Sequence, residues 1–185
     1  QPSSAASDVY KRQDKTLKEF QDALASDAPT PGGGSAAGVA LGQAAALAIM
    51  VSDLTLSKDR YNVGWNVANE IKAVAEGLLN EGLELATRDS DAFDAVVASF
   101  RMSKSTDAEK ETRKKAIHLA TLGAAEVPFQ TAIRALELLK LLPELAEKGN
   151  PNALSDVGVS ALLASTALKG GIFNVEINLQ SLPSE

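Results

Sequence analysis

The chain has 185 residues, 45% of them hydrophobic and 23% charged, which suits one globular domain with a substantial core. A net charge of -6 removes the basic field that nucleic-acid binding needs, and the lack of cysteine excludes disulfides, thiolate catalysis and cysteine-ligated metal together. Only 4% of residues are aromatic, so Ala, Leu and Val must fill the interior, which favours closely packed helices over a sandwich.

Gln1 to Lys15 are polar, aperiodic and do not begin with Met, and they read as a disordered or non-native tail. Thr16-Leu17-Lys18-Glu19 forms a capping box, after which Leu17, Phe20 and Leu24 recur on one face of a short helix. The loop from Asp27 to Ser35 follows. Pro29 and Pro31 forbid helix there, Gly32, Gly33 and Gly34 permit turns closed to other residues, and Ser35 is a good N-cap. From Ser35 to about Ser57 the chain is apolar on every side and uncharged until Asp53, which predicts a buried central helix with others packed round it. Residues 35–51 include Ser35, Gln43 and two glycines and fall short of a span of about 20 strongly apolar residues, so no membrane span is expected. No other targeting segment appears, and cytoplasm is the default.

Val63, Val67, Ile71, Val74, Leu78 and Leu85 recur at helical spacing, predicting an amphipathic helix over 62–87. Asp89 or Ser90 is placed to cap a separate helix that ends near Met102. Thr106-Asp107-Ala108-Glu109 is a second capping box, opening a helix that Pro128 should kink or divide, after which Pro143 either starts a new first turn or kinks the chain again. Gly149-Asn150-Pro151-Asn152 is a break, and Ser155 or Asp156 caps the next Ala/Leu helix. Phe173 to Leu179 alternates like a strand, but one short strand without a partner leaves its backbone unpaired, so helix is expected to resume after Gly170-Gly171. The expected architecture is all-α, a single-domain helical bundle of residues 16–185 around the Ala-rich helix.

No nucleophile–base pair announces itself. His118 is the one histidine and follows a Lys/Arg cluster, where a surface role is the default, and a single histidine without cysteine cannot build an ordinary zinc site. The glycine loop has two readings, a helix N-terminus that offers backbone donors to a ligand or a tight turn before a buried helix. Asp89 and Asp156 likewise fit either chemistry or capping in a first helical turn. Asn174 and Asn178, one turn apart on an apolar helix, need partners if buried.

Pro29-Thr30-Pro31-Gly32-Gly33-Gly34-Ser35 before an Ala-rich helix resembles the signature of the cyclodeaminase/cyclohydrolase family. The resemblance continues through Asp89-Ser90-Asp91-Ala92-Phe93, then Arg101-Met102-Ser103-Lys104-Ser105-Thr106, Glu109-Lys110 and Arg113. Val127-Pro128, Gly149-Asn150, Ser155-Asp156 and Asn174-Val175-Glu176-Ile177-Asn178-Leu179 fall in the family's order, giving coverage of about residues 16 to 182. Two departures are present: Met102-Ser103 stands where Leu-Pro is usual, and the chain stops where the family continues into a further long helix.

The resemblance implies an all-α homodimer acting on one-carbon tetrahydrofolates, with a tetrahydrofolate derivative as substrate and no metal or tightly bound cofactor. The related reactions are hydrolysis of the methenyl bridge to formyltetrahydrofolate and closure of formiminotetrahydrofolate with loss of ammonia. Both pass through a tetrahedral carbon between two folate nitrogens, which needs a carboxylate to move protons and a polar cage for the pterin. Asp89 and Asp156 are the carboxylates in family motifs, with Asp156 favoured because Gly149-Asn150-Pro151 presents it from a rigid loop. The implied substrate-binding set is Pro31, Gly32, Gly33, Gly34, Ser35, Lys58, Tyr61, Arg101, Lys104, Asn150, Asn174 and Asn178. Within it, Lys58, Arg101 and Lys104, together with Arg60, are the candidates to receive the anionic glutamyl tail. A non-catalytic folate-binding protein or a helical assembly protein would carry the same core periodicity. Convergence of Asp89, Asp156, Asn174 and Asn178 beside the glycine loop separates these readings from an enzyme.

Overall fold

Thr16 and Glu19 cap the start of the first helix as their spacing predicts. The Glu19 carboxylate accepts from the Thr16 N–H at 2.7 Å and the Thr16 hydroxyl from the Glu19 N–H at 3.2 Å. The structure, a computed structural model, describes residues 15–182, so the tail expectation lies outside it except for Lys15. Five α-helices and two short 3₁₀ segments follow in order: α1 (Leu17–Leu24), α2 (Gly33–Leu56), α3 (Trp65–Phe100), α4 (Asp107–Lys148) and α5 (Leu154–Gln180). The 3₁₀ segments, Asp59–Gly64 and Pro151–Ala153, carry the chain into α3 and α5. Among the described residues there is no strand, and Phe173 to Leu179 is helical as expected.

Cross-helix contacts fix the topology. Lys72 meets Asp53 at 2.6 Å while Ser90 meets Ser35 at 3.0 Å, so α3 runs antiparallel to α2. Arg134 reaches Glu81 at 2.8 Å and Arg113 reaches the Phe100 carbonyl at 3.0 Å, which sets α4 against α3. Ser160 donates to the Ala44 carbonyl at 2.7 Å, and Asn178 to the Ala124 carbonyl at 2.9 Å, which places α5 antiparallel to both α2 and α4. The result is an up-down-up-down four-helix bundle. Its core runs through Leu41, Ala45, Ala48 and Val51 of α2, Ile71, Leu78 and Leu85 of α3, Ala135, Leu138 and Leu142 of α4, and Ala164 and Ala167 of α5.

Small residues let two of the crossings come unusually close. A methyl group on Gly82 of α3 would lie 2.6 Å from the Gly42 nitrogen and 2.7 Å from the Gly38 carbonyl oxygen of α2. Gly171 of α5 has the same relation to α4, where a methyl would sit 2.6 Å from the Pro128 carbonyl. These glycines serve backbone-to-backbone packing rather than turns. The Ala-rich helix is thus heavily buried, although Gln43, Ala46, Met50 and Leu54 form an outward stripe. By length and hydropathy α2 and Pro151–Gln180 each reach across a bilayer; in this fold α2 packs against both α3 and α5.

One expected boundary is absent, and at two prolines the helix is not divided. The helices expected over 62–87 and 89–102 are one helix, α3, because Asp89 and Ser90 lie on its interior rather than at a start and no Gly or Pro interrupts the chain there. Neither Pro128 nor Pro143 divides α4. At Pro128 the missing N–H leaves the Ala124 carbonyl without its intrahelical donor, and Asn178 Nδ2 supplies one from α5 at 2.9 Å. Asn178→Ala is therefore expected to cost about 1–3 kcal/mol, the range for a buried acceptor left unpaired. Adding Pro128→Ala restores a backbone donor and should cancel most of that loss, so a denaturant double-mutant cycle must give strong coupling. Additive losses would mean that Asn178 does not serve the Ala124 carbonyl.

The second capping box also forms, with Thr106 N–H donating to Glu109 at 2.8 Å and Glu109 N–H to the Thr106 hydroxyl at 3.2 Å. The Thr106 backbone donor, helped by the Ser103 hydroxyl, holds the Glu109 carboxyl below the usual range. Because the folded value is depressed, this cap is complete above the ordinary carboxylate range, about pH 4.3, and is lost as pH falls through the folded value. Amide protection factors in the first turn of α4 should fall over that acid window in the native chain and stay flat in Glu109→Gln.

Candidate active site

The first turn of α2 carries no side-chain cap. Gly32 is its N-cap residue, and Ser35, expected in that role, instead occupies the third helical position. From there its hydroxyl donates across to Asp89 Oδ2 at 3.0 Å and lies 3.0 Å from the Ser90 hydroxyl. Ser35 and Ser90 are 1% and 0% exposed, so the bond between them is shielded from water, while that to the half-buried Asp89 lies at the edge of the crossing. An added Cβ at Gly34 would overlap Oδ1, Cγ and Oδ2 of Asp89, which explains why the position is bare: the carboxylate lies directly against the backbone. On the other flank, a Cβ at Gly33 would lie 3.5 Å from Asn174 Nδ2. The glycine run is therefore set between a carboxylate of α3 and an amide of α5.

This arrangement has a clear electrostatic logic. The opening N–H groups of a helix lack acceptors within it and carry partial positive charge, which favours a carboxylate at that end. Asn174 is half-buried and donates to the Gly170 carbonyl at 2.8 Å, which fixes its orientation beside Gly33. Next to the glycine run, α1 roofs a cavity of about 320 Å³ between α2 and α3. Its wall includes Phe20, Pro31, Val39, Gln43, Leu83 and Ala86, and is mostly apolar with a few polar groups, the usual character of a small-molecule pocket. Ala86 of its wall stands one turn before Asp89 on α3, but Asp89, Gly32, Gly33, Gly34 and Asn174 do not line the cavity themselves.

The other expected site residues do not gather here. Asp156, half-buried in the first turn of α5, lies about 27 Å along that helix from Asn174. It does not cap α5, whose N-cap is Ala153. Asn150 belongs to the same far end: its N–H donates to Thr55 Oγ1 at 3.0 Å, and its Oδ1 accepts from the Asn152 N–H at 3.0 Å. Lys58 and Tyr61 follow the C-terminus of α2, with Lys58 exposed and the Arg60 guanidinium 4.7 Å from the Tyr61 ring centre. Thus Asp89 and Asp156 do not meet within one chain, and the expectation of a single cleft holds for Asp89, the glycine run and Asn174 alone. Asn178 lies one turn beyond Asn174, with its amide given to the Ala124 carbonyl.

Arg101 and Lys104 sit at the tip of a two-helix arm. Beyond the level of Asp89 and Ala124, α3 and α4 continue past the start of α2, and Arg101 is about 18 Å along α3 from Asp89. Both are exposed. Arg113 locks this tip: Nη2 and Nε donate to the Phe100 carbonyl at 3.0 and 3.3 Å, and the guanidinium lies 5.5 Å from the Phe100 ring centre. Sequence reasoning missed Ser90 as a partner of Ser35, having read it only as a cap. It also missed Trp65, whose Nε1 donates to the Thr55 carbonyl at 3.3 Å and closes the far end of α2. No local signal marks either contact, since each joins separate helices. Among the described residues no group of three or more Asp, Glu or His side chains is placed to hold a metal ion.

Known proteins share this framework. The chain is 38% identical over 168 residues to a methenyltetrahydrofolate cyclohydrolase of Methylorubrum extorquens, covering 91% of this chain and 81% of that protein. It is 31% identical to the formimidoyltransferase-cyclodeaminase of Gallus gallus, where the match takes 92% of this chain and 32% of the longer protein. The crystal structure of a formiminotetrahydrofolate cyclodeaminase from Thermotoga maritima superposes with a TM-score of 0.80 at 32% identity, covering 92% of this chain and 81% of that one. The sequence pattern of the formiminotransferase-cyclodeaminase family matches residues 16–185. That match spans the glycine run, Asp89 and Asn174, so the helices that build the site are those of the family, and the chain belongs to the formiminotransferase-cyclodeaminase family.

Proposed function

We propose that this chain hydrolyses the methenyl bridge of methenyltetrahydrofolate to give formyltetrahydrofolate, with Asp89 as the proton carrier. The observation that carries the reading is the Asp89 carboxylate held against Gly34 in the bare first turn of α2, with the Asn174 amide against the neighbouring Gly33. Water adding to the methenyl carbon must lose a proton, and the departing folate nitrogen must gain one; one fixed carboxylate serves both steps in turn. The cavity suits an aromatic ring system, while Asn174 and the helix start suit its polar edges. Arg101 and Lys104 supply positive charge on the arm beyond, in reach of an extended anionic tail.

Cyclodeaminase action on formiminotetrahydrofolate is the second reading, supported by the likeness to the Thermotoga maritima structure. The two reactions share the tetrahedral carbon and differ in the group that departs. Supplying methenyl- and formimino-tetrahydrofolate side by side to purified protein separates them. Faster hydrolysis of the methenyl compound is expected; preferential ammonia release selects the second reading, and no turnover of either favours a folate-binding or assembly role. A homodimer also belongs to this proposal, because α4 and α5 leave the large apolar side chains Phe129, Ile133, Leu162, Phe173 and Ile177 open to solvent, with Leu162 70% and Phe173 66% exposed. Sedimentation should give twice the chain mass.

A further inference from the structure

Asp89 and Ser90 are consecutive on α3, yet both reach one hydroxyl on α2. Ser35 Oγ lies 3.0 Å from Asp89 Oδ2 and 3.0 Å from Ser90 Oγ. A hydroxyl has one proton to give, and a carboxylate has none. With the Ser35 proton directed to Asp89, the bond between the serines must run from Ser90 to Ser35. The order Ser90 to Ser35 to Asp89 follows from donor counting alone.

We propose that Ser35 and Ser90 are positioning residues for the proton carrier: a two-hydroxyl chain buried at the α2–α3 crossing that fixes the Asp89 carboxylate over Gly34. The proposal rests on the reading of Asp89 given above. Three features carry it. Both hydroxyls are almost fully buried, so water does not readily replace a lost donor. The carboxylate, half-buried at the edge of the same crossing, leans on a glycine that has no side chain to hold it, so its direction is set by side-chain bonds such as that from Ser35. Chained hydroxyls also polarise one another, so the Ser90 donation strengthens the bond that Ser35 makes. Ser35 thereby acts on the reaction through Asp89 and not by touching substrate.

The test uses the full chain and steady-state kinetics across pH, with thermal unfolding to verify folding. Ser35→Ala is expected to lower kcat about tenfold or more with little change in KM. It should also move the acid limb of the kcat profile to higher pH, since the charged carboxylate loses a donor. Ser90→Ala should move both quantities the same way by less, and decides the matter if Ser35→Ala does not fold. In the Asp89→Asn background, Ser35→Ala should add nothing further, because its effect passes through Asp89. Unchanged kcat and acid limb in both serine variants, or a serine effect that multiplies with Asp89→Asn, would overturn the proposal while Asp89→Asn alone still removes turnover. Full turnover in Asp89→Asn would instead overturn the underlying reading, and the proposal with it.

Discussion

Asp89→Asn is expected to lower kcat at least about a hundredfold, the contribution typical of a positioned general acid–base, equivalent to about 2.7 kcal/mol of barrier. The amide keeps the shape of the carboxyl and can still accept from Ser35, so fold and folate affinity should persist. It cannot take a proton from water near neutral pH, and the loss falls on kcat rather than KM. Asp156→Asn should stay within about twofold of the parent, because Asp156 lies about 27 Å along α5 from the Asn174 end of the bundle. The paired measurement is decisive: turnover lost at Asp156 and kept at Asp89 would reverse the assignment. Intact turnover in both variants would place proton transfer in solvent or on another group.

The second large effect concerns helix packing. Gly82→Ala puts a methyl 2.6 Å from the Gly42 nitrogen and 2.7 Å from the Gly38 oxygen, both backbone atoms that cannot rotate away. Overpacking of this kind costs about 1–3 kcal/mol or more, which outweighs the gain of about 1 kcal/mol that Ala brings over Gly inside a helix. A net loss of about 2 kcal/mol would lower Tm by about 4–8 °C in a chain of this size. Gly77→Ala on the same helix meets nothing within 4 Å and should raise Tm, because only the propensity gain acts there. Identical substitutions five residues apart on α3 thus have opposite signs. A stable Gly82→Ala variant would show that α2 and α3 do not cross at van der Waals contact of their backbones.

Much of the fold is legible in the sequence because its signals are local. Thr16 with Glu19 and Thr106 with Glu109 mark two helix starts, and both boxes form as written, since each requires bonds only three residues apart. The heptad-like spacing of Ile71, Leu78 and Leu85 marks a buried face, and all three are buried. Misplaced boundaries arise where a residue type has two uses. Asp89-Ser90 has the composition of a cap, yet both side chains serve a partner on α2; Pro128 has the composition of a break, yet Asn178 of α5 supplies a donor to the carbonyl it orphans.

The same division governs the site. By itself the sequence determined the all-α class, the glycine run at the head of an apolar helix, and the short set of carboxylates and amides from which a site had to be drawn. Only the tertiary structure decided that Asp89 and Asn174 flank that run, that Asp156 and Asn150 stand at the other end, and that Asn178 serves the backbone of α4. The reason is physical: caps and periodicities are fixed by neighbours within a turn, whereas Ser35 meets Asp89 at a separation of 54 residues, at a register set by how closely Gly38, Gly42 and Gly82 let two helices approach.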